Sequence, residues 1–470
     1  MKKAILYFLL LFLVPVLLAN EESLTFGPFG KITLYHESTQ PGSVTLFVSG
    51  DGGWNLGVVD MARELASLDA LVIGIDINHF LKEKEASSEK CLYPAADFEA
   101  LSKFVQMKLN YPRYRTPVLI GYSSGATLIY AALVQAPPNT FLGGISIGFC
   151  PDLLLTKTMC RGSGLEWTTG PKGKGFNFLP ASSLEVPWIA LQGTIDQVCE
   201  PKSTENFVKK VPQGQVLVLP KVGHGFSVPK NWMPQFKKAF SSIASKAEKE
   251  DAALKAKSNG KSPSLSDLPL VEVPATGGHS NIMGIIITGD GGWGVTDRGI
   301  AQNLAATGIP VVGLNSLHYF WNRKNPEQTA EDLNRILQHY STLWNRTEAV
   351  IVGYSFGADV LPFILNRLPG ESLQKIKVIA FLGLSSTADF QFHLTDWLGS
   401  RRRSTAQMVR PEVEKLRGRK MLCFYGTDDD DALCGLLDQG LVKAIPIQGG
   451  HRFGRGYQPI VDAILKEIVP

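Results

Sequence analysis

Val350-Ile-Val-Gly-Tyr-Ser-Phe-Gly-Ala-Asp359 brings an apolar run into Gly353-Tyr354-Ser355-Phe356-Gly357, and a helix-like segment from Ala358 to Leu368 leads out of it. The pentapeptide is the G-x-S-x-G pattern of a nucleophile elbow. In such an elbow a serine sits on a sharp strand-to-helix turn, and the glycines let the backbone pack closely beneath it. Taken alone the motif is weak, because a glycine-rich turn produces it by chance. Its surroundings decide the reading, and they occur twice.

Thr45-Leu-Phe-Val-Ser-Gly-Asp-Gly-Gly-Trp54 aligns without a gap on Gly284-Ile-Ile-Ile-Thr-Gly-Asp-Gly-Gly-Trp293, and Val118-Leu-Ile-Gly-Tyr-Ser-Ser-Gly-Ala126 aligns on Val350 to Ala358. Further on, Gln192-Gly-Thr-Ile-Asp-Gln-Val-Cys199 resembles Tyr425-Gly-Thr-Asp-Asp-Asp-Asp-Ala-Leu-Cys434, and Val222-Gly-His-Gly-Phe226 resembles Gly449-Gly-His-Arg-Phe453. Four blocks in one order mean an internal duplication into units of about 200 residues. In the second unit, apolar runs at Met283–Thr288, Pro310–Leu314, Ala349–Gly353, Ile376–Leu382, Lys420–Tyr425 and Leu441–Ile447 alternate with helical spacing at Val295–Thr307 and Glu327–Leu343. Buried strands alternating with amphipathic helices predict an α/β fold. The expectation is two tandem α/β-hydrolase-like domains, each a mainly parallel sheet covered by helices on both faces.

The chain has 470 residues, 44% of them hydrophobic and 19% charged, with a net charge of +4. That balance suits large cores and gives no basis for nucleic-acid binding. Residues 1–19 have a basic start, an apolar stretch and a small residue at the end, the pattern of a cleaved signal peptide. The expected location is the periplasm, with the protein soluble or peripheral to the inner membrane. The expected domains are 22–244 and 266–470, joined by a charged Ser/Lys/Ala-rich linker at 245–265. Six cysteines suit an oxidising compartment. Cys423 and Cys434 are a plausible pair, and the four in the first unit allow three pairings. No cofactor and no metal are expected.

Acyl transfer by serine needs a base to take the proton and an acid to orient that base. In α/β-hydrolases the chain order is Ser, acid, His. The second unit offers Ser355, an acid within Asp428–Asp431, and His451; the first offers Ser123, Asp196 and His224. Counting from the shared glycine favours Asp429, and counting back from the shared cysteine favours Asp431; Asp429 is preferred. The oxyanion hole is expected from the N–H of Phe356 or Ser124 together with the loop Gly289-Asp290-Gly291, or Gly50-Asp51-Gly52 in the first unit. Asp290 either turns away to hydrogen-bond its own loop or meets a cationic part of the substrate. Asp428 and Asp431 are further candidates for a cationic group. Phe390 to Arg403, aromatic and then arginine-rich, reads either as a lid that docks on lipid or as a core helix with solvated arginines. His318-Tyr-Phe-Trp321 reads as core.

Ser316 to Leu333, Gly353 to Pro362 and the Asp428–Cys434 loop are similar to the VirJ domain. With the signal-like start, the first unit and the linker, nearly the whole chain resembles the AcvB/VirJ family. The resemblance implies an envelope α/β-hydrolase that removes lysine from lysyl-phosphatidylglycerol, with Ser355 at the nucleophile position. It also implies a link to virulence and to type IV secretion substrates or components. It gives less ground for activity at Ser123. Two other readings are a broader carboxylesterase or lipase and a non-catalytic periplasmic binding factor.

Overall fold

A computed structural model describes residues 20–257, 265–277, 280–392, 406–451, 453 and 456–468. The predicted signal peptide and residues 393–403 of the lid candidate lie outside that set. In the first unit β1 (Asn20–Thr25), β2 (Lys31–His36), β3 (Ser43–Val48), β4 (Ala70–Ile75), β5 (Val118–Tyr122), β6 (Gly143–Ile147), β7 (Trp188–Gly193) and β8 (Gly214–Leu219) form one eight-stranded sheet in the order β1-β2-β4-β3-β5-β6-β7-β8. The β1–β2 and β2–β4 pairs are antiparallel. Every later pair is parallel.

The second unit repeats this order without the first strand. Its β9 (Leu270–Val273), β10 (Ile282–Ile287), β11 (Val311–Leu314), β12 (Glu348–Tyr354), β13 (Ile376–Leu382), β14 (Met421–Gly426) and β15 (Lys443–Ile447) run β9-β11-β10-β12-β13-β14-β15. Only β9 is antiparallel to its neighbour. Each sheet is buried on both faces, which is why its strands read as unbroken apolar runs. Along β10, Ile282 and Ile286 join one core cluster, while Met283, Ile285 and Ile287 join the other. The strands and helices expected from periodicity in the second unit are present, with ends shifted by one or two residues. The short β9, Leu-Val-Glu-Val, was not anticipated.

Helix Met233–Lys257 runs through the start of the expected linker, and Leu265 and Leu268 are buried in the second unit's core. The units also touch. Tyr114 of the first is buried in a core cluster of the second, its ring 5.3 Å from that of Trp321. Trp321 Nε1 donates to the Tyr111 carbonyl at 2.8 Å, and Asn322 Nδ2 donates to the Pro112 carbonyl at 2.9 Å. Tyr319, Phe320 and Trp321 are therefore core, His318 is half-buried beside them, and part of that core is supplied by the other unit. Among the described residues no helix is long and apolar enough to cross a membrane.

Candidate active sites

Both serines stand at the junction of a central strand and a helix. Ser355 follows β12 and precedes helix Phe356–Leu365; Ser123 follows β5 and precedes helix Ser124–Gln135. Their backbones match, with φ/ψ of 51°/−119° at Ser355 and 54°/−122° at Ser123. Positive φ at a non-glycine residue costs on the order of 1–3 kcal/mol and holds only where the surroundings enforce it. The flanking glycines are needed for close approach, since a Cβ on Gly357 would lie 2.1 Å from the Ile287 carbonyl oxygen.

The acid and the histidine come from loops at the same sheet edge. With the imidazole proton on Nδ1, Ser355 Oγ donates to His451 Nε2 at 2.8 Å and His451 Nδ1 donates to Asp429 Oδ2 at 2.7 Å. Asp429 is the carboxylate that reaches the ring. Asp431 approaches through its backbone N–H, which donates to Asp429 Oδ1 at 3.3 Å. Asp428, Asp430 and Asp431 are exposed. The first unit has the same chain of contacts. Ser123 Oγ is 3.0 Å from His224 Nε2, and His224 Nδ1 is 2.9 Å from Asp196 Oδ2. Asp196 Oδ1 also accepts from the N–H groups of Val198 and Cys199, each at 2.9 Å.

The Gly-Asp-Gly-Gly-Trp loops lie against the two serines. A Cβ on Gly50 would fall 2.9 Å from Ser123 Cβ, and one on Gly289 would fall 3.5 Å from Ser355 Cβ. Phe356 and Ser124 open their helices with the N–H groups expected for an oxyanion hole. Asp51 and Asp290 are both exposed, at the tips of these loops beside Gly52 and Gly291.

Two carboxylates of the second unit, Asp359 beside Ser355 and Asp297 at the start of a helix, were not anticipated. Asp359, one helical turn beyond the nucleophile, accepts from the Ser385 N–H at 2.7 Å. Enclosure by protein, and then the nearby charges of Asp290 and Asp429, push its carboxyl up to about 8. Asp297 is buried, accepts from the Gly294 N–H through Oδ2 at 3.1 Å, and has no protein partner for Oδ1. Burial, with a smaller contribution from Asp290, pushes it up to about 7. The aligned residues of the first unit are Val58 and Thr127. A signal was available, since Asp359 is the one charge in the apolar run Ala358–Leu365. Asp297 lies in the first turn of its helix, where acids are common, so its position carries no signal.

Phe390 and Phe392 are buried, and Phe392 packs against Phe356 at 4.7 Å, so the described part of the lid candidate is core. In the first unit, Asp196, Cys199 and His224 bring potential metal-ligand atoms within 4.8 Å of one another. Cys199 is bonded to Cys150, however, and a disulfide sulfur is not the thiolate that binds metal. The other bridges are Cys91–Cys160 and Cys423–Cys434.

Residues 42–141 and 281–469 match the family described as bacterial virulence protein (VirJ). The chain belongs to the VirJ family. No curated protein matches it significantly. Among solved structures, it is similar to the esterase domain of a Rhodothermus marinus protein, with 15% identity and a TM-score of 0.33, covering 48% of this chain and 98% of that one. It is also similar to an α/β serine hydrolase without a lid from Xanthomonas campestris, with 18% identity and a TM-score of 0.33, covering 48% and 94%. A third is a putative dienelactone hydrolase from Klebsiella pneumoniae, with 13% identity and a TM-score of 0.34, covering 48% and 98%.

Proposed function

We propose that the second unit of this VirJ-family protein is a serine ester hydrolase that cleaves the aminoacyl ester of lysyl-phosphatidylglycerol, releasing lysine and phosphatidylglycerol. The protein works in the periplasm at the membrane surface, in association with type IV secretion and virulence. The observation that carries this reading is the Ser355–His451–Asp429 contact chain set beside the exposed acids Asp290, Asp428, Asp430 and Asp431. Carboxylates beyond the one that holds the histidine suit a substrate whose acyl group carries two ammonium groups.

Ser355 Oγ attacks the lysyl carbonyl carbon while its proton passes to His451 Nε2, and Asp429 stabilises the imidazolium. The N–H groups of Phe356 and of the Gly289–Gly291 loop receive the oxyanion. The bond to the phosphatidylglycerol oxygen then breaks, and the alcohol leaves with the proton from His451. Water attacks the lysyl-serine ester through the same base, restoring Ser355 and freeing lysine.

The test is lipid analysis of cells lacking the protein and complemented with wild type or Ser355→Ala. Lysyl-phosphatidylglycerol is expected to accumulate in the deletion and in the variant. Unchanged lysyl lipid in the variant would overturn the reading. Equal turnover of lysyl and uncharged esters by purified protein carrying Ser123→Ala would move it to a broader carboxylesterase.

A further inference from the structure

We infer that the first unit is a second working hydrolase site, built around Ser123 and selective for uncharged esters with an aliphatic acyl group. This does not depend on the reading of Ser355. Its first support is geometric, for Ser123, His224 and Asp196 make the same contacts as the second unit's trio. The supporting shell is also in place. Tyr122 donates its hydroxyl to the His224 carbonyl at 2.9 Å, and Gln192 Nε2 donates to Asp196 Oδ2 at 3.3 Å. The Cys150–Cys199 bridge ties the acid loop to the segment after β6. The His224 side chain is 17% exposed against 37% for His451, so this site is the more sheltered of the two.

The second support is the chemistry that replaces the acids. Counted from the shared glycine, Ile195 stands where Asp428 stands and Val198 where Asp431 stands, and these side chains are 61% and 67% exposed. Val58 replaces Asp297, and the burial pattern confirms the match: Val58, Met61, Ala62 and Leu65 are buried on one helix, and Asp297, Ile300, Ala301 and Leu304 on the other. Thr127 replaces Asp359, and its hydroxyl is engaged by the Cys150 carbonyl at 2.6 Å. Leu56, beyond the oxyanion loop, is 82% exposed, and Val228, four residues after His224, is 44% exposed. Exposed aliphatic side chains on three loops around one nucleophile offer burial to a hydrocarbon chain. Asp51 stands where Asp290 stands, so the two sites differ in their acid loops, where the first unit offers no counterpart of Asp428 or Asp431 to compensate an ammonium group for its lost hydration.

In the reaction Ser123 Oγ bonds to the acyl carbon and its proton passes to His224 Nε2. The bond to the alcohol oxygen breaks, and the alcohol departs with that proton. Water then splits the acyl-serine, leaving a carboxylic acid and the free serine.

The test uses full-length protein carrying Ser355→Ala, assayed with p-nitrophenyl octanoate and with the p-nitrophenyl ester of lysine. The octanoyl ester is expected to be turned over, and adding Ser123→Ala should lower that rate at least a hundredfold. A fluorophosphonate should modify Ser123 in the single variant, as read by peptide mass. Ile195→Asp with Val198→Asp should cut the octanoyl-to-lysyl rate ratio at least tenfold while Ser123 still takes the probe. Absence of both Ser123 labelling and Ser123-dependent turnover in folded protein would overturn the inference. So would a Ser123-dependent rate that favours the lysyl ester.

Discussion

The two units place serine, histidine and aspartate at nearly the same distances, yet differ in what surrounds them. Beside each serine an exposed aspartate, Asp290 or Asp51, tips the glycine-rich loop; but Ser355 also has Asp359 on its helix and three exposed acids on the Asp429 loop, where the first unit carries Thr127, Ile195 and Val198. The duplication has kept the serine, histidine and aspartate geometry and varied the side chains around it. The contrast also shows that a constellation of three residues says little about substrate, which has to be read from the neighbouring side chains.

The largest break in the comparison is expected from Ser355→Ala, which should reduce lysyl-ester hydrolysis by at least about 10⁴-fold while leaving Ser123 open to the fluorophosphonate. Next, Asp429→Asn should cost on the order of 10⁴ in kcat, whereas Asp431→Asn should stay within about threefold, because only Asp429 touches His451. Steady-state kinetics on the lysine ester separates these two outcomes. Replacing Asp290 by Asn should raise KM for the lysine ester up to about fivefold, the size of an exposed ion pair, and leave an uncharged ester nearly unaffected.

Smaller effects should appear in stability. Removing the Cys150–Cys199 bridge, with a sequence separation of 49, should cost about 4 kcal/mol; removing Cys423–Cys434, with a separation of 11, should cost about 3 kcal/mol. Denaturant midpoints measure both. Asp359 also makes stability depend on pH. Its carboxyl titrates at about 8 in the folded protein against an ordinary value of 3.8, so the native state keeps a proton that the unfolded chain gives up in between. Its contribution is fully present below about pH 4 and is lost as pH rises toward 8. Asp359→Asn should therefore shift the urea midpoint upward by an amount that grows across that window and then levels off.

Much of this was legible in the sequence because it is local or repeated. The elbow is five adjacent residues, and the parallel strands announce themselves as apolar runs since both sheet faces are covered. The duplication supplied a second copy against which Asp429 could be aligned with Asp196. What stayed hidden depends on distance through space. Asp297 looked like a helix-start acid because its sequence neighbours say nothing of the buried place where its side chain ends. The pairing of Cys91 with Cys160 and of Cys150 with Cys199 is one of three possibilities that spacing cannot rank. Strand β9 has only four residues and pairs antiparallel, so it lacks the signature of its neighbours. Contact between the units was unreadable, because each aromatic residue of His318–Trp321 needs only some core, and the sequence does not say whose.

That contact bears on any attempt to divide the chain. Tyr114 fills space beside Trp321, the next residue along is Phe320, and its ring lies 4.9 Å from Phe356 at the start of the nucleophile helix. A fragment beginning near Leu265 would uncover Trp321 and open a void two side chains from its own oxyanion hole. Gene fission or domain transplantation would thus disturb the second site even with all three of its reactive residues left in place.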